Sequence, residues 1–174
     1  AKRSKAYAGG LISEGVLGTG TKLALWQCPS YMNDSGTSVL KAYRHYITTV
    51  QNSGADTLPP LVLLHDEMEA APGDLKVSSG VTSARGHNGV KSVQQSLRSA
   101  GLIKLLTEDD GEAGFLRVGV GIGRPAGASR QRGDSEAYVL GTLGEGEKQD
   151  MEQISAQKLM DLLEEGIPRR SSTS

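Results

Sequence analysis

Residues 61–67, Leu-Val-Leu-Leu-His-Asp-Glu, constrain this chain more than any other stretch. Four apolar residues in a row without alternation predict a strand buried on both faces. Pro59-Pro60 introduces the run, and it stops abruptly at three polar groups. On either side the apolar spacing becomes helical. After the cap-forming cluster Asn33 to Ser38 come Val39, Leu40, Tyr43, Ile47 and Val50, one buried stripe of a helix. Val90, Val93 and Leu97 mark a second helix. A buried strand between helices predicts an α/β protein, a single domain whose twisted mixed sheet is flanked by helices. Polar groups at the carboxyl end of a central strand are where such sheets place ligands, which draws attention to His65, Asp66 and Glu67.

The remaining pattern fits that class. Residues 6–28 read as two short strands joined around Gly15-Val16-Leu17-Gly18-Thr19-Gly20. Residues 78–89 form a loop dense in Gly, Ser and Thr. Residues 118–123 alternate apolar residues with glycine, and a strand with one glycine face lets a backbone or ligand approach closely. A polar stretch, 127–133, leads to a last helix over about 147–165 carrying Met151, Ile154, Leu159, Leu162 and Leu163. A frayed tail is expected over 168–174. No internal repeat or domain boundary is evident, so 1–174 reads as one domain.

Charge and cysteine narrow the function. With 19 basic against 20 acidic residues the net charge is −1, so nucleic-acid binding requires a local basic patch and does not follow from bulk charge. The start, Ala1-Lys2-Arg3-Ser4-Lys5, is either a solvated end or such a contact. Cys28 is alone, which fits a reducing compartment and offers neither a disulfide nor a zinc site. No run approaches the ~20 apolar residues of a membrane span, and no apolar segment follows the basic start as in a secretory signal. Several motifs fail on inspection. Gly15 to Lys22 lacks the Gly-Lys-Ser/Thr ending of a phosphate loop. The glycines of 119–123 sit inside a strand and not in a strand-to-helix turn. Gly-x-Ser-x-Gly is absent. His45, His65 and His87 are too scattered to argue for a metal.

Three segments carry unusual chemistry: 29–36 with Tyr31-Met32-Asn33, then His65-Asp66-Glu67, then 85–89 with Gly86-His87-Asn88. Taken alone, each asparagine before a helix reads as a helix cap worth roughly 1 kcal/mol. Together, the segments resemble the bacterial-type peptidyl-tRNA hydrolase family. Its signatures are Tyr-Met-Asn-x-Ser-Gly, His-Asp-Glu followed by Pro-Gly and Lys, Gly-His-Asn-Gly-x-Lys-Ser, and Gly-Ile-Gly-Arg-Pro. Here they fall at Tyr31 to Gly36, at His65 to Glu67 with Pro72-Gly73 and Lys76, at Gly86 to Ser92, and at Gly121 to Pro125. Tyr138 to Gly141 resembles a late family motif, and the resemblance covers most of 6–165.

The resemblance implies hydrolysis of the ester between a peptidyl group and the terminal ribose of tRNA, with no metal and no cofactor. A family histidine activates water, and an aspartate, here Asp66, orients it. Asn33 and Asn88 would supply amides to the substrate and the developing oxyanion. Tyr31, Met32, Gly86 and His87 would line the peptide site. Lys76, Arg85, Lys91, Arg117 and Arg124 would contact RNA phosphates. The partner expected is peptidyl-tRNA, bound by a monomer in the cytosol or mitochondrion.

Departures from the family matter. Its opening motifs, Gly-Leu-Gly-Asn-Pro-Gly and Thr-Arg-His-Asn, have no match here. Ala1 corresponds to a point about a fifth of the way into a member, so an upstream segment carrying both motifs is expected. His45, His65 and His87 do not match the catalytic histidine, and this chain by itself is expected to be weak or inactive. Ser78 and Gly119 stand where the family often has basic residues, and Arg85 replaces a frequent glycine. The competing reading is a non-catalytic RNA-binding relative.

Overall fold

The computed structural model describes residues 1–84, 86–107, 114–123 and 145–165. In chain order these form β1 (Lys2–Arg3), β2 (Leu11–Val16), β3 (Lys22–Gln27) and a 3-10 turn (Met32–Asp34). Then come α1 (Ser35–Asn52), β4 (Leu61–Glu67), β5 (Leu75–Ser79), α2 (Asn88–Ser99), α3 (Leu102–Thr107), β6 (Phe115–Gly121) and α4 (Glu145–Glu164). The class is α/β as expected, but the strands form two three-stranded sheets, β1-β2-β3 and β4-β6-β5. The chain divides into two compact units: Ala1–Leu63 with Ser79–Leu116, and Leu64–Ser78 with Arg117–Gly166. Strands β4 and β6 run from the first into the second.

In the first unit, β2 and β3 make the expected antiparallel hairpin, with Ile12 opposite Trp26 and Val16 opposite Lys22. Helix α1 buries Val39, Tyr43 and Ile47 on one stripe, as its periodicity requires. These side chains join Val93, Leu97, Leu102, Leu106 and Phe115 in the core. Leu97 is fully buried, and sealing such a side chain from water is worth about 1.5–3 kcal/mol. Helices α1 and α2 meet at Gly36. A β-carbon there would fall on the Ser92 carbonyl oxygen, and the Gly36 N–H donates to Ser92 Oγ at 3.0 Å. Only glycine permits that approach, and it brings the start of α1 against the start of α2. Phe115 packs under Gly80, whose N–H donates to the Phe115 carbonyl at 2.8 Å.

In the second unit, Ile122 N–H donates to the Glu67 carbonyl, and Gly121 N–H to that of Asp74. The alternating glycines of β6 admit near neighbours as expected. Gly119 lies beneath Glu67 and His65, and Gly121 lies against the Ala71 carbonyl. Helix α4 is tied down by Lys158, which pairs with Asp74 at 2.7 Å.

Two expectations are corrected. β4 is not the central strand: β6 lies between β4 and β5, and Leu64 is 45% exposed. Glycines lower the apparent hydrophobicity of β6, yet every residue but Val120 is buried. The loop expected over 78–89 starts two residues later, because Ser78 and Ser79 end strand β5, whose alternation of Leu75 and Val77 is too short to stand out. The 127–133 stretch, the motif at 138–141 and the tail at 168–174 lie outside the described residues.

Candidate functional site

The approach of α1 to α2 at Gly36 gathers the first group of candidate residues. The 3-10 turn precedes α1 and presents Tyr31, which is 90% exposed, then Met32 and the exposed Asn33. Its last turn is closed by Ser35 Oγ, which donates to the Met32 carbonyl at 2.6 Å. The Met32 side chain lies over Gly89, where an added β-carbon would come within 2.7 Å of its Cγ and 3.2 Å of the His87 ring. Residues 31–33 and 87–89 therefore line one surface of the first unit.

Neither asparagine caps a helix. Asp34 holds the cap position of α1 without a side-chain bond, and Asn88 is already the first residue of α2. The cap is His87, whose Nδ1 accepts the Val90 N–H at 3.3 Å. Accepting that bond leaves its proton on Nε2 in the neutral ring. The Asn33 and Asn88 amides make no hydrogen bond among the described residues. Asn88 is half-buried, so its amide faces less competition from water. Gly86 is exposed at φ +98°, a left-handed turn that swings the chain into His87.

A residue missed from the sequence holds this surface in place. Gln94 is 8% exposed, and its Nε2 donates to the carbonyls of Gly80 at 2.7 Å and Thr82 at 2.8 Å. Its signal was legible: a polar residue one position from Val93 and three before Leu97, on the buried stripe of α2.

The second unit carries Asp66 on β4, half-buried, between two residues with well-defined partners. His65 Nδ1 lies 2.7 Å from the Asp66 carbonyl oxygen. Glu67 pairs with Lys76 at 3.2 Å and accepts the Glu69 N–H at 3.2 Å. Lys76 is exposed, though part of its charge is already answered by Glu67. Arg117, one of the candidate phosphate contacts, lies within β6 and is 6% exposed. Lys91 is exposed on α2. Arg85 and Arg124 lie outside the described residues. Among the described residues no three His, Cys, Asp or Glu side chains converge as metal ligands, and no helix is long and apolar enough to cross a membrane.

The family model for peptidyl-tRNA hydrolase matches residues 1–172. A peptidyl-tRNA hydrolase of Geotalea uraniireducens is 33% identical over 167 residues, covering 94% of this chain and 72% of its own length. One of Novosphingobium aromaticivorans is 35% identical over 142 residues, covering 82% of this chain but 60% of its own. A probable peptidyl-tRNA hydrolase of Schizosaccharomyces pombe is 33% identical, covering 84% and 63%. This chain thus spans about three-fifths to three-quarters of the length of these relatives. In fold it is similar to a peptidyl-tRNA hydrolase crystal structure from Acinetobacter baumannii, with a TM-score of 0.61 at 22% identity, over 95% of this chain and 70% of that one.

Proposed function

This chain belongs to the peptidyl-tRNA hydrolase family, and from that premise we propose that it acts on the ester joining a peptidyl group to the 3′ ribose of tRNA. Water attacks the ester carbonyl, the bond to the ribose oxygen breaks, and that oxygen leaves with a proton. The half-buried Asn88 amide, unused as a cap, donates to the oxygen on which charge develops. Asn33 holds the peptide backbone against the surface made by Tyr31, Met32, Gly86 and His87. Asp66 orients a general-base histidine and supports its charged form. Lys76 and Lys91, with Arg85 and Arg124, contribute phosphate contacts. Because no histidine of this chain matches the family's Arg-His-Asn motif, turnover by these 174 residues alone is slow. A monomer in the cytosol or mitochondrion goes with this reading.

The observation that carries the proposal is the pair of uncommitted amides on one surface: Asp34 holds the cap position of α1 and His87 caps α2, so neither asparagine is spent on a helix end. Amides donate to an oxyanion without titrating, and an ester needs no metal. The test is peptide release from N-acetyl-aminoacyl-tRNA under single-turnover conditions. Asn88→Ala is expected to slow release about 10²–10³-fold, the usual loss for one oxyanion donor. An unchanged rate would remove Asn88 from that role.

A further inference from the structure

The basic residues of the amino-terminal third are segregated from the rest of the charge. Residues 1–52 hold Lys2, Arg3, Lys5, Lys22, Lys41 and Arg44 against only Glu14 and Asp34, while the whole chain carries 19 basic and 20 acidic residues. All six are exposed. Among the described residues none of them lies within ion-pair distance of a carboxylate, whereas Lys76 and Lys158 are both paired.

Their presentation is fixed by the fold. The turn between β1 and β2 closes through Ser4 N–H to the Gly10 carbonyl at 3.0 Å and Gly9 N–H to the Ser4 carbonyl at 2.9 Å. The Tyr7 carbonyl accepts from Trp26 Nε1 at 3.0 Å, and the Tyr7 ring meets the His45 ring edge-on at 4.7 Å. Lys5 therefore stands beside the point where this turn is seated on α1. Lys41 is one helical turn before His45, and Arg44 precedes it directly. Both lie on the solvent side, away from the stripe of Val39, Tyr43 and Ile47. At 1.5 Å per residue, His45 is about 15 Å along α1 from its start beside Asn33.

We infer that the Lys5–Tyr7 turn and the Lys41–Arg44–His45 face of α1 form a second RNA-contact surface, which engages the tRNA phosphate backbone away from the esterified end. This inference rests on the function proposed above for the choice of RNA. Unpaired cations on a rigid scaffold bind phosphates by releasing counterions and lose little side-chain packing in doing so. The Tyr7–His45 pair adds a ring surface on which a splayed base can stack. A protein of near-zero net charge gains RNA affinity only from a local concentration of this kind.

The test is fluorescence anisotropy of deacylated tRNA with the 174-residue chain between 50 and 200 mM salt. The variant is Lys5→Ala with Lys41→Ala and Arg44→Ala, with Lys91→Ala as a comparison. The triple variant is expected to weaken binding at least tenfold at 50 mM salt and to make the slope of log K against log salt shallower by about 2, at roughly 0.7–0.9 per phosphate contact. Lys41→Arg should restore most of its share. Thermal unfolding of each variant is followed in parallel, since these exposed side chains carry no core packing. Unchanged affinity and slope would overturn the surface, as would stronger binding to phosphatidylserine vesicles than to tRNA. Patch-dependent tRNA binding without peptide release, in a protein supplied with the family's histidine motif, would sink the hydrolase reading and leave this surface standing. Release that persists with a triple variant of unaltered binding would do the opposite.

Discussion

Replacing Gly36 by alanine puts a methyl carbon where α1 and α2 touch. It would fall on the Ser92 carbonyl oxygen, with the Ser92 carbonyl carbon and Ser96 Oγ each at 2.5 Å. Two of those three neighbours are backbone atoms and cannot rotate away. Overpacking of this kind costs about 1–3 kcal/mol, and immovable neighbours place it near the upper end. Alanine returns roughly 1 kcal/mol of helix propensity. The net expectation is a loss of about 2 kcal/mol, which for a protein of this length lowers Tm by about 4–8 °C. Urea unfolding followed by far-ultraviolet circular dichroism should show a lower midpoint with an unchanged slope. Gly15→Ala is the control, since nothing lies within 4 Å of its added carbon, and it should stay within about 0.5 kcal/mol of the parent. Separating α1 from α2 also separates Met32 and Asn33 from His87 and Asn88, so Gly36→Ala should weaken binding of a non-cleavable 3′-aminoacyl adenosine analogue. Native stability in Gly36→Ala, or equal damage from Gly15→Ala, would refute the close-approach argument.

Other consequences follow from single contacts. Gln94→Leu removes both donors to the Gly80 and Thr82 carbonyls and should cost about 2 kcal/mol, read by denaturation, with faster amide exchange over 80–87. Burial raises the Tyr43 phenol well above its ordinary value of 10. The folded state then holds that proton more tightly than the unfolded one, so stability should fall as pH rises past about 10. Tyr43→Phe should flatten that alkaline limb in a pH series of melts, while losing the bond to the Pro59 carbonyl at 2.5 Å costs about 1 kcal/mol at neutral pH. In a preparation that turns over peptidyl-tRNA, Asp66→Asn should lower kcat far more than it raises KM, and an effect confined to KM would remove its positioning role.

Much of this was legible because periodicity and turn chemistry are local. The α1 stripe, the β2–β3 hairpin and the α2 stripe all appear where apolar spacing places them. The candidate surface was legible as motif segments, but not its construction. Two adjacent polar residues stand at each helix start, and the sequence does not say which one caps; the backbone assigned that duty to His87 and left Asn88 uncommitted. Hydrophobic content misled on strand order. Leu61 to Leu64 look more central than the glycine-rich 115–121, yet missing side chains are what let β6 be enclosed on both sides. Burial of Arg117 was likewise invisible, since charge type alone reads as surface.

The most direct test of the central claim is single-turnover release of N-acetyl-aminoacyl groups from tRNA by two proteins. One is this chain; the other carries an opening segment with the family's Asn-Pro-Gly and Arg-His-Asn motifs ahead of Ala1. A positioned general base contributes about 10²–10⁴-fold, so the extended protein should release peptide at least 100-fold faster than the chain alone. Asp66→Asn in the extended protein should cancel most of that gain. An extended, folded protein no faster than the chain alone, or one indifferent to Asp66→Asn, would contradict the account.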